Sequence, residues 1–538
     1  METNCEYIPY EQTGFFSKII LDYLQGDEKL QPFYKYPVSV EGIKSSIEAR
    51  KKFNTPRNLL VQELHKQYEG IELTALQKNN IQNLLQQNTF AICTAHQPNI
   101  FTGHLYFIYK VLHVIKLAHH LKNILPENNF VPVYYMGSED ADLEELGHIN
   151  LNGEKLEWKT KQTGAVGRMK VDKALIKLID RMAGELEVLQ YGKDLISLLR
   201  AAYKEGTTIQ QATLLLVNEL FKEFGLLVLI PDNAALKSAF NDIVKKELLE
   251  QFSHGLVEQT GEQLSEHYKV QASGRELNLF YLTEDKRERI ELEGEGFKVE
   301  GLKLFWSKKE MLAEVDEHPE KFSPNVILRG VFQEMILPNI AFAGGGGEIA
   351  YWMELKKVFE ACEVPYPVLI VRNSFLLIDE AQKEKASELS FSITDLFKPA
   401  EALINELVKR ESNHQLQLTD ERLQLETFYA HLTQVTTSID PSLTEHVKAL
   451  QAKASDKITA LEKKMLKAEK RKFEDQQRQI NKLKQALFPN NDLQERVDNF
   501  SAFYAKYGRE WLKIFYNSSL TLEQQFALVT MPSIPAKG

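Results

Sequence analysis

Between Cys93 and Lys110 the chain reads Cys-Thr-Ala-His-Gln-Pro-Asn-Ile-Phe-Thr-Gly-His-Leu-Tyr-Phe-Ile-Tyr-Lys, which gathers two imidazoles, His96 and His104, and the amide of Gln97 into one turn. Such groups donate and accept hydrogen bonds near neutral pH, so the turn suits handling of phosphate or carboxylate. An apolar strand (90–95) precedes it, Pro98 and Gly103 turn it, and a helical pattern (104–125) follows. A strand that feeds a helix through a polar loop places that loop at the carboxyl end of its strand, where open α/β sheets bind ligands. Amides at the helix start favour anions there.

Two more passages fall on strand ends. Ser138-Glu139-Asp140-Ala141-Asp142-Leu143-Glu144-Glu145 follows a second apolar strand (130–136) and Gly137. Carboxylates on that rim could grip an amine or a divalent cation. Asp140 and Asp142 could equally cap a helix whose dipole Glu144 and Glu145 complement, and the two readings are compatible. Farther on, Gly344, Gly345, Gly346 and Gly347 lie between an apolar strand and an amphipathic helix that begins Glu348-Ile349-Ala350-Tyr351. Bare amides there admit close approach of a phosphate or sugar, although four glycines could also make a simple tight turn. The run is neither a Walker loop nor a G-x-G-x-x-G fingerprint. A strand is expected at 325–328 with Arg329 at its end, and another at 365–371 with Arg372 and Ser374 just beyond.

These passages need a sheet to hold them together. Strand, helix, strand over 90–136 makes one right-handed crossover unit, and the strands flanking the glycine run make a second. The class is therefore α/β, with six expected segments. They are an N-terminal helical part (1–88), the first half of the core (89–150), an inserted region (151–320), the second half of the core (321–378), a helical arm (379–488) and a tail docking on the core (489–538). In the arm, Leu443, Val447, Leu450, Ala454, Ile458, Leu461, Met465 and Ala468 repeat at spacings of three and four. With an earlier helical segment (399–435) this predicts an antiparallel hairpin, and an apolar seam that a second copy of the chain would cover.

The totals exclude several classes. With 538 residues, 43% hydrophobic and 26% charged, the chain exceeds one ordinary core. Its net charge of -10 argues against a general nucleic-acid binder. No apolar run long enough for a membrane span and no signal-peptide layout are present, so a cytoplasmic protein without membrane or nucleic-acid partners is expected. Cys5, Cys93 and Cys362 lack Cys-x-x-Cys spacing, so no disulfide framework or zinc site is indicated and no resident metal is assigned.

Five motifs occur in register over nearly the whole chain: Gln97-Pro98 with Thr102-Gly103-His104-Leu105-Tyr106, Ser138-Glu139-Asp140 with Asp142, Ser323-Pro324-Asn325 with Leu328-Arg329, Gly344 to Tyr351, and Leu493-Gln494-Glu495-Arg496. Together they resemble the bacillithiol-biosynthesis cysteine-adding enzymes, the BshC family. The resemblance implies a Rossmann-like doubly wound core with inserted connecting segments, plus a long antiparallel α-helical coiled coil that makes a homodimer. It also implies a ligase that joins the carboxylate of cysteine to the amine of glucosaminyl-malate. A carboxylate is a poor electrophile, so ATP (leaving as ADP or with loss of pyrophosphate), with Mg²⁺, is the expected activator. His96, Gln97, His104 and Asp140 become the candidates for the chemistry. Thr102, Gly103, Tyr106, Ser138, Glu139, Asp142, Arg329, Glu348 and Tyr351 become substrate contacts, with Arg329 on an acid group such as malate, and Gly344 to Gly347 the nucleotide site. Members often carry proline at the place of His104, so that residue ranks as a ligand contact. Two alternatives remain: an adenylate-forming enzyme of class I nucleotidyl transferase type acting on another acid, and a non-catalytic coiled-coil assembly protein.

Overall fold

The computed structural model describes residues 4–271 and 274–531. The chain divides into two compact units, one formed by residues 2–376 and 492–529 and the other chiefly by residues 377–491.

The first unit is built on a five-stranded parallel sheet. Strand β1 (Thr89–His96) is buried along its whole length, as expected of a parallel strand covered on both faces. Helix α1 (Tyr106–Ile124) follows and leads into strand β2 (Asn129–Met136). Strand β3 (Leu227–Leu229) then adds beside β2. After helix α2 (Val326–Ile336) come strand β4 (Asn339–Gly344), helix α3 (Gly346–Glu354) and strand β5 (Val368–Val371). The spatial order is β5-β4-β1-β2-β3 with every neighbour parallel. The chain thus winds outward from β1 in one direction and then from β4 in the other. Loops after β1 and β4 diverge, and the crevice between them is the topological switch point where such sheets take ligands. Thr94 Oγ1 donates to the Ala343 carbonyl at 2.7 Å, tying the two neighbouring strands just below the ends from which the loops diverge.

Several expectations need correction. No strand forms at 325–328: a short strand, Phe322–Pro324, stops at Asn325, whose side chain accepts the Ile327 N–H at 2.8 Å and caps α2. Arg329 therefore sits in the first turn of a helix, because a cap residue after proline outweighs the local β propensity of Val326 and Ile327. The N-terminal part is helical but also carries the strand Asn4–Ile8. The region read as an insertion supplies β3 to the main sheet and carries the helices Ala234–Ser238 and Asn241–Glu250. Farther along, Leu279–Leu282 pairs antiparallel with both Arg287–Arg289 and Phe322–Pro324, which carries two arginines to the entrance of α2.

The tail packs within this unit. His113 on α1 accepts the Asn373 N–H through Nδ1 at 3.1 Å, and its Nε2–H donates to the Thr521 carbonyl at 2.8 Å, so both ring nitrogens are used by a neutral imidazole. Burial, partly offset by the Thr521 bond, pushes its pKa down to about 4. Between the unfolded value near 6.5 and that figure only the unfolded chain takes up this proton, so the contribution is complete above pH 6.5 and is lost as pH falls toward 4. The predicted loss is on the order of 3 kcal/mol at pH 4. Urea midpoints of wild type and His113→Gln between pH 7.5 and 4.5 check this, the variant showing the shallower pH slope.

The second unit contains helices α4 (Ala400–Glu411), α5 (Thr419–Ile439), α6 (Leu443–Lys470) and α7 (Glu474–Leu487). The helix that carries the repeat from Leu443 to Ala468 ends at Lys470, where a 3-10 turn, Arg471–Phe473, separates it from α7. Helices α5 and α6 pack on each other, with an Arg422–Glu462 ion pair of 2.7 Å between them.

Candidate functional site

A cavity of about 940 Å³ opens at the switch point. The loop after β1 contributes His96 and Gln97, and α1 contributes Tyr106 and Lys110. Ser138, Glu139 and Asp140 come from the end of β2, and Gly345, Gly346, Gly347, Glu348 and Tyr351 from the start of α3. Three sequence passages separated by up to about 250 residues thus line one cavity.

Local chemistry explains why each passage folds as it does. In the first loop Phe101, Thr102 and Gly103 have φ of 50°, 67° and 65°, a left-handed run costly for the first two. It is held by Asn499, whose amide donates to the Phe101 carbonyl at 2.9 Å and to that of Gly103, and by Tyr203, whose hydroxyl accepts the Phe101 N–H. A β-carbon on Gly103 would stand 2.8 Å from that of Asn99. At the second turn, a β-carbon on Gly346 would stand 3.1 Å from Ile20, so glycine there lets the N-terminal helix close on α3.

His96 is 6% exposed and its Nε2 has no hydrogen-bond partner. Burial, reinforced by Lys110, His104, Arg329 and Arg372, holds its pKa well below the usual value, so the ring is neutral at pH 7. Gln97 Nε2 donates to Asp140 at 3.2 Å. Ser138 Oγ is buried without a partner. Glu139 is less open than its position suggested: it pairs with the buried Lys237 and accepts from Ser323 Oγ at 2.8 Å. Burial pushes its pKa up, against the pull of Lys237. Arg329 donates to Tyr351 Oη at 2.9 Å and packs against Gly137, where a β-carbon would meet Nη1 at 3.0 Å. Burial alone would weaken its charge, but Tyr351, Tyr135, Glu348 and Asp140 more than compensate, so it stays a cation.

Other candidates lie elsewhere. His104 donates through Nδ1 to the Val497 carbonyl at 3.0 Å and packs beside His148 and Tyr106, outside the cavity wall. Thr102 and Gly103 shape the first turn and Gly344 ends β4, and none of the three lines the cavity. Asp142 caps the short helix Leu143–Leu146 by accepting the Glu145 N–H at 3.0 Å.

Sequence reasoning passed over most of the cavity's positive charge. Lys110 was hidden among the apolar positions of α1. Arg275, Arg287 and Arg289 sit in or beside a stretch (278–306) whose alternation reads as antiparallel β ribbon and by itself points to no ligand. The alternation at 287 and 289, which puts both on one face of a strand, was the available signal. Arg287 is held by Ser323 Oγ at 3.2 Å and lies 3.9 Å over the Phe280 ring. Arg372 lies over Tyr106 and pairs with the buried Glu495 at 2.8 Å. With Arg329 and Arg496 the wall carries seven basic side chains against four acidic ones, Glu139, Asp140, Glu145 and Glu348. Arg372 is already paired with Glu495 and Arg496 with Asp492 at 3.2 Å, and the partly buried surplus of cations that remains favours an anionic ligand.

Residues 1–373 match the family described as "Bacillithiol biosynthesis BshC, N-terminal Rossmann-like domain", and residues 375–531 match "Bacillithiol biosynthesis BshC, C-terminal coiled-coil domain". A protein of Flavobacterium johnsoniae named "Putative cysteine ligase BshC" is 41% identical over 533 residues, covering 99% of this chain and 100% of its own. Proteins of the same name from Flavobacterium psychrophilum and Christiangramia forsetii are 40% and 38% identical, with 98% of this chain and 99% of theirs covered in each case.

Proposed function

The chain belongs to the bacillithiol biosynthesis BshC family, and from that premise we propose that it is a cytoplasmic ligase forming an amide between the carboxyl group of L-cysteine and the amine of glucosaminyl-malate, at the expense of ATP. The observation that carries this reading is the excess of cationic side chains around the switch-point cavity. It matches a nucleotide triphosphate together with an acceptor bearing carboxylates. Among the described residues no helix is long and apolar enough to cross a membrane.

In this reading the α3 amides, Lys110 and Arg372 face phosphate, and Arg329 with Arg287 and Arg289 faces the acid groups of the acceptor. Asp140, held by Gln97, stands where an incoming amine or Mg²⁺ would be met. His96, neutral and with an open nitrogen, offers a hydrogen bond without adding charge. Binding both partners in one enclosed space supplies the proximity that amide formation needs, and fixed cations stabilise charge developing on phosphate.

Incubation of the chain with cysteine, glucosaminyl-malate and ATP-Mg, followed by mass spectrometry, should yield the cysteinyl product. Pyrophosphate–ATP exchange over a panel of acids would expose a preference for an acid other than cysteine. Gly347→Ala sharpens the test, because a β-carbon there meets no heavy atom beyond its own helix within 4 Å. The expected result is stability unchanged or raised by about 0.5–1 kcal/mol, with kcat/KM lowered about tenfold or more. Full activity in that variant would remove the amides of α3 from the ligand site.

The proposal extends to a paired antiparallel arm that joins two copies. Phe428, Val435 and Ile439 on α5 are 56%, 44% and 76% exposed, and Leu443, Leu450 and Leu461 on α6 are 37%, 41% and 49% exposed. Spacings of seven, four and eleven keep each set on one stripe of its helix. Light scattering should give twice the chain mass for wild type and the single mass for Phe428→Asp combined with Ile439→Asp.

A further inference from the structure

Helix α3 opens on bare glycines, and its first amides would attract an anion. A side chain of the protein already occupies that place. Glu348 Oε2 accepts the Gly345 N–H at 2.8 Å and meets the Lys110 ammonium at 2.5 Å, while Lys110 also donates to the Ala95 carbonyl at 2.8 Å. The Lys110 side chain is 1% exposed and that of Glu348 is 24% exposed. The cation is sealed beneath the carboxylate, and the carboxylate keeps an open side on the cavity.

The surroundings hold more than a helix cap needs. Arg372 Nε lies 3.7 Å from where a β-carbon on Gly345 would stand, and no heavy atom beyond its own helix lies within 4 Å of one on Gly347. His96, in the same wall, keeps a buried Nε2 that no protein atom satisfies. A second cation lies beside this carboxylate, open space lies over the helix start, and an unpaired imidazole nitrogen shares the cavity wall.

We propose that Glu348 is a stand-in anion: a phosphate-bearing ligand displaces its carboxylate from Gly345 and Lys110, and Lys110 becomes the ligand's buried counter-ion. The exchange replaces one anion by another on the same donors, so the Lys110 charge is never left unpaired in the interior. Displaced from the helix start, Glu348 swings into the cavity, where it can accept a hydrogen bond from the amine or hydroxyl of a second substrate. This deepens the proposed function and rests on its reading that the cavity takes a phosphate-bearing substrate.

The test uses the full chain and inorganic pyrophosphate, with neither cysteine nor acceptor present. In Glu348→Gln the amide oxygen can still cap Gly345, but the competing charge is gone, and calorimetry should show binding at least tenfold tighter than wild type. Lys110→Met should bind at least tenfold more weakly. In the double variant the gain from Glu348→Gln should shrink below threefold, because no cation remains to unmask. Equal or weaker binding by Glu348→Gln, unchanged binding by Lys110→Met, or no binding by any form overturns the proposal. Should either variant fail to fold, a crystal structure of the unaltered chain with pyrophosphate decides. Lys110 Nζ on a phosphate oxygen with Glu348 turned away supports the exchange, and Glu348 still on Lys110 refutes it. The two readings fail separately. Pyrophosphate bound over an unmoved Glu348 sinks only this inference, whereas displacement of Glu348 in a chain that makes no cysteinyl product sinks only the ligase.

Discussion

Arg329→Met should lower kcat/KM by roughly 10²–10³-fold, the usual effect of removing one fixed donor from a developing charge, while shifting the urea midpoint little. Arg329 is placed by backbone rather than by another charge. The Asn325 cap starts α2 one turn earlier, Gly137 leaves room for the guanidinium, and Tyr351 Oη orients Nη2 at 2.9 Å. Methionine fills much the same volume and leaves no carboxylate stranded, because no ion pair of Arg329 exists to be broken among the described residues. The loss should fall on the acceptor's KM and on kcat together, and Arg329→Lys should recover only part of it, a point charge replacing a planar fork. Tyr351→Phe, which keeps the charge and frees one N–H, should cost less than tenfold. Wild-type kinetics in Arg329→Met would remove this residue from the site.

Glu495→Ala carries the largest expected effect on stability, about 3–5 kcal/mol, because it leaves a buried guanidinium unpaired. The Glu495 side chain is fully buried; Oε1 accepts from Arg372 Nη2 at 2.8 Å and Oε2 accepts the Phe375 N–H at 3.2 Å. One carboxylate thus joins the returning tail to the end of β5 and fixes the arginine that lies over Tyr106. Glu495→Gln should recover a share of the stability through its amide oxygen, yet both variants should weaken pyrophosphate binding, since Arg372 would lose its anchor. Urea denaturation and calorimetry on the same preparations separate the two effects.

The parallel core was legible because its strands are buried on both faces, so β1 and β2 appear as unbroken apolar runs ending in Gly, Pro and polar residues. The glycine turn and the acidic run were legible for the same reason, each marking a strand end. Arg329 was found but set on the wrong element, since a three-residue strand capped by asparagine has too few positions for periodicity to register. The roles of Lys110 and Glu495 escaped, although Glu495 falls in a quoted motif, because a buried charge looks like any helix or loop charge until its partner is known, and their partners are 238 positions away for Lys110 and 123 for Glu495. The ribbon arginines were lost in a stretch where charges alternate with little apolar contrast. His104 drew notice by type alone, and its carbonyl partner at Val497 belongs to a distant segment with no pattern to announce it.

The left-handed run at Phe101, Thr102 and Gly103 depends on Asn499, 398 positions later. A ribosome adding roughly 5 to 20 residues each second delivers that asparagine some 20 to 80 seconds after the loop itself has emerged. Once β5 has been made the nascent polypeptide can pair its whole sheet, yet until Asn499 arrives only Tyr203 holds the rim, so a message cut short near its end would make protein with its sheet assembled and this loop half secured.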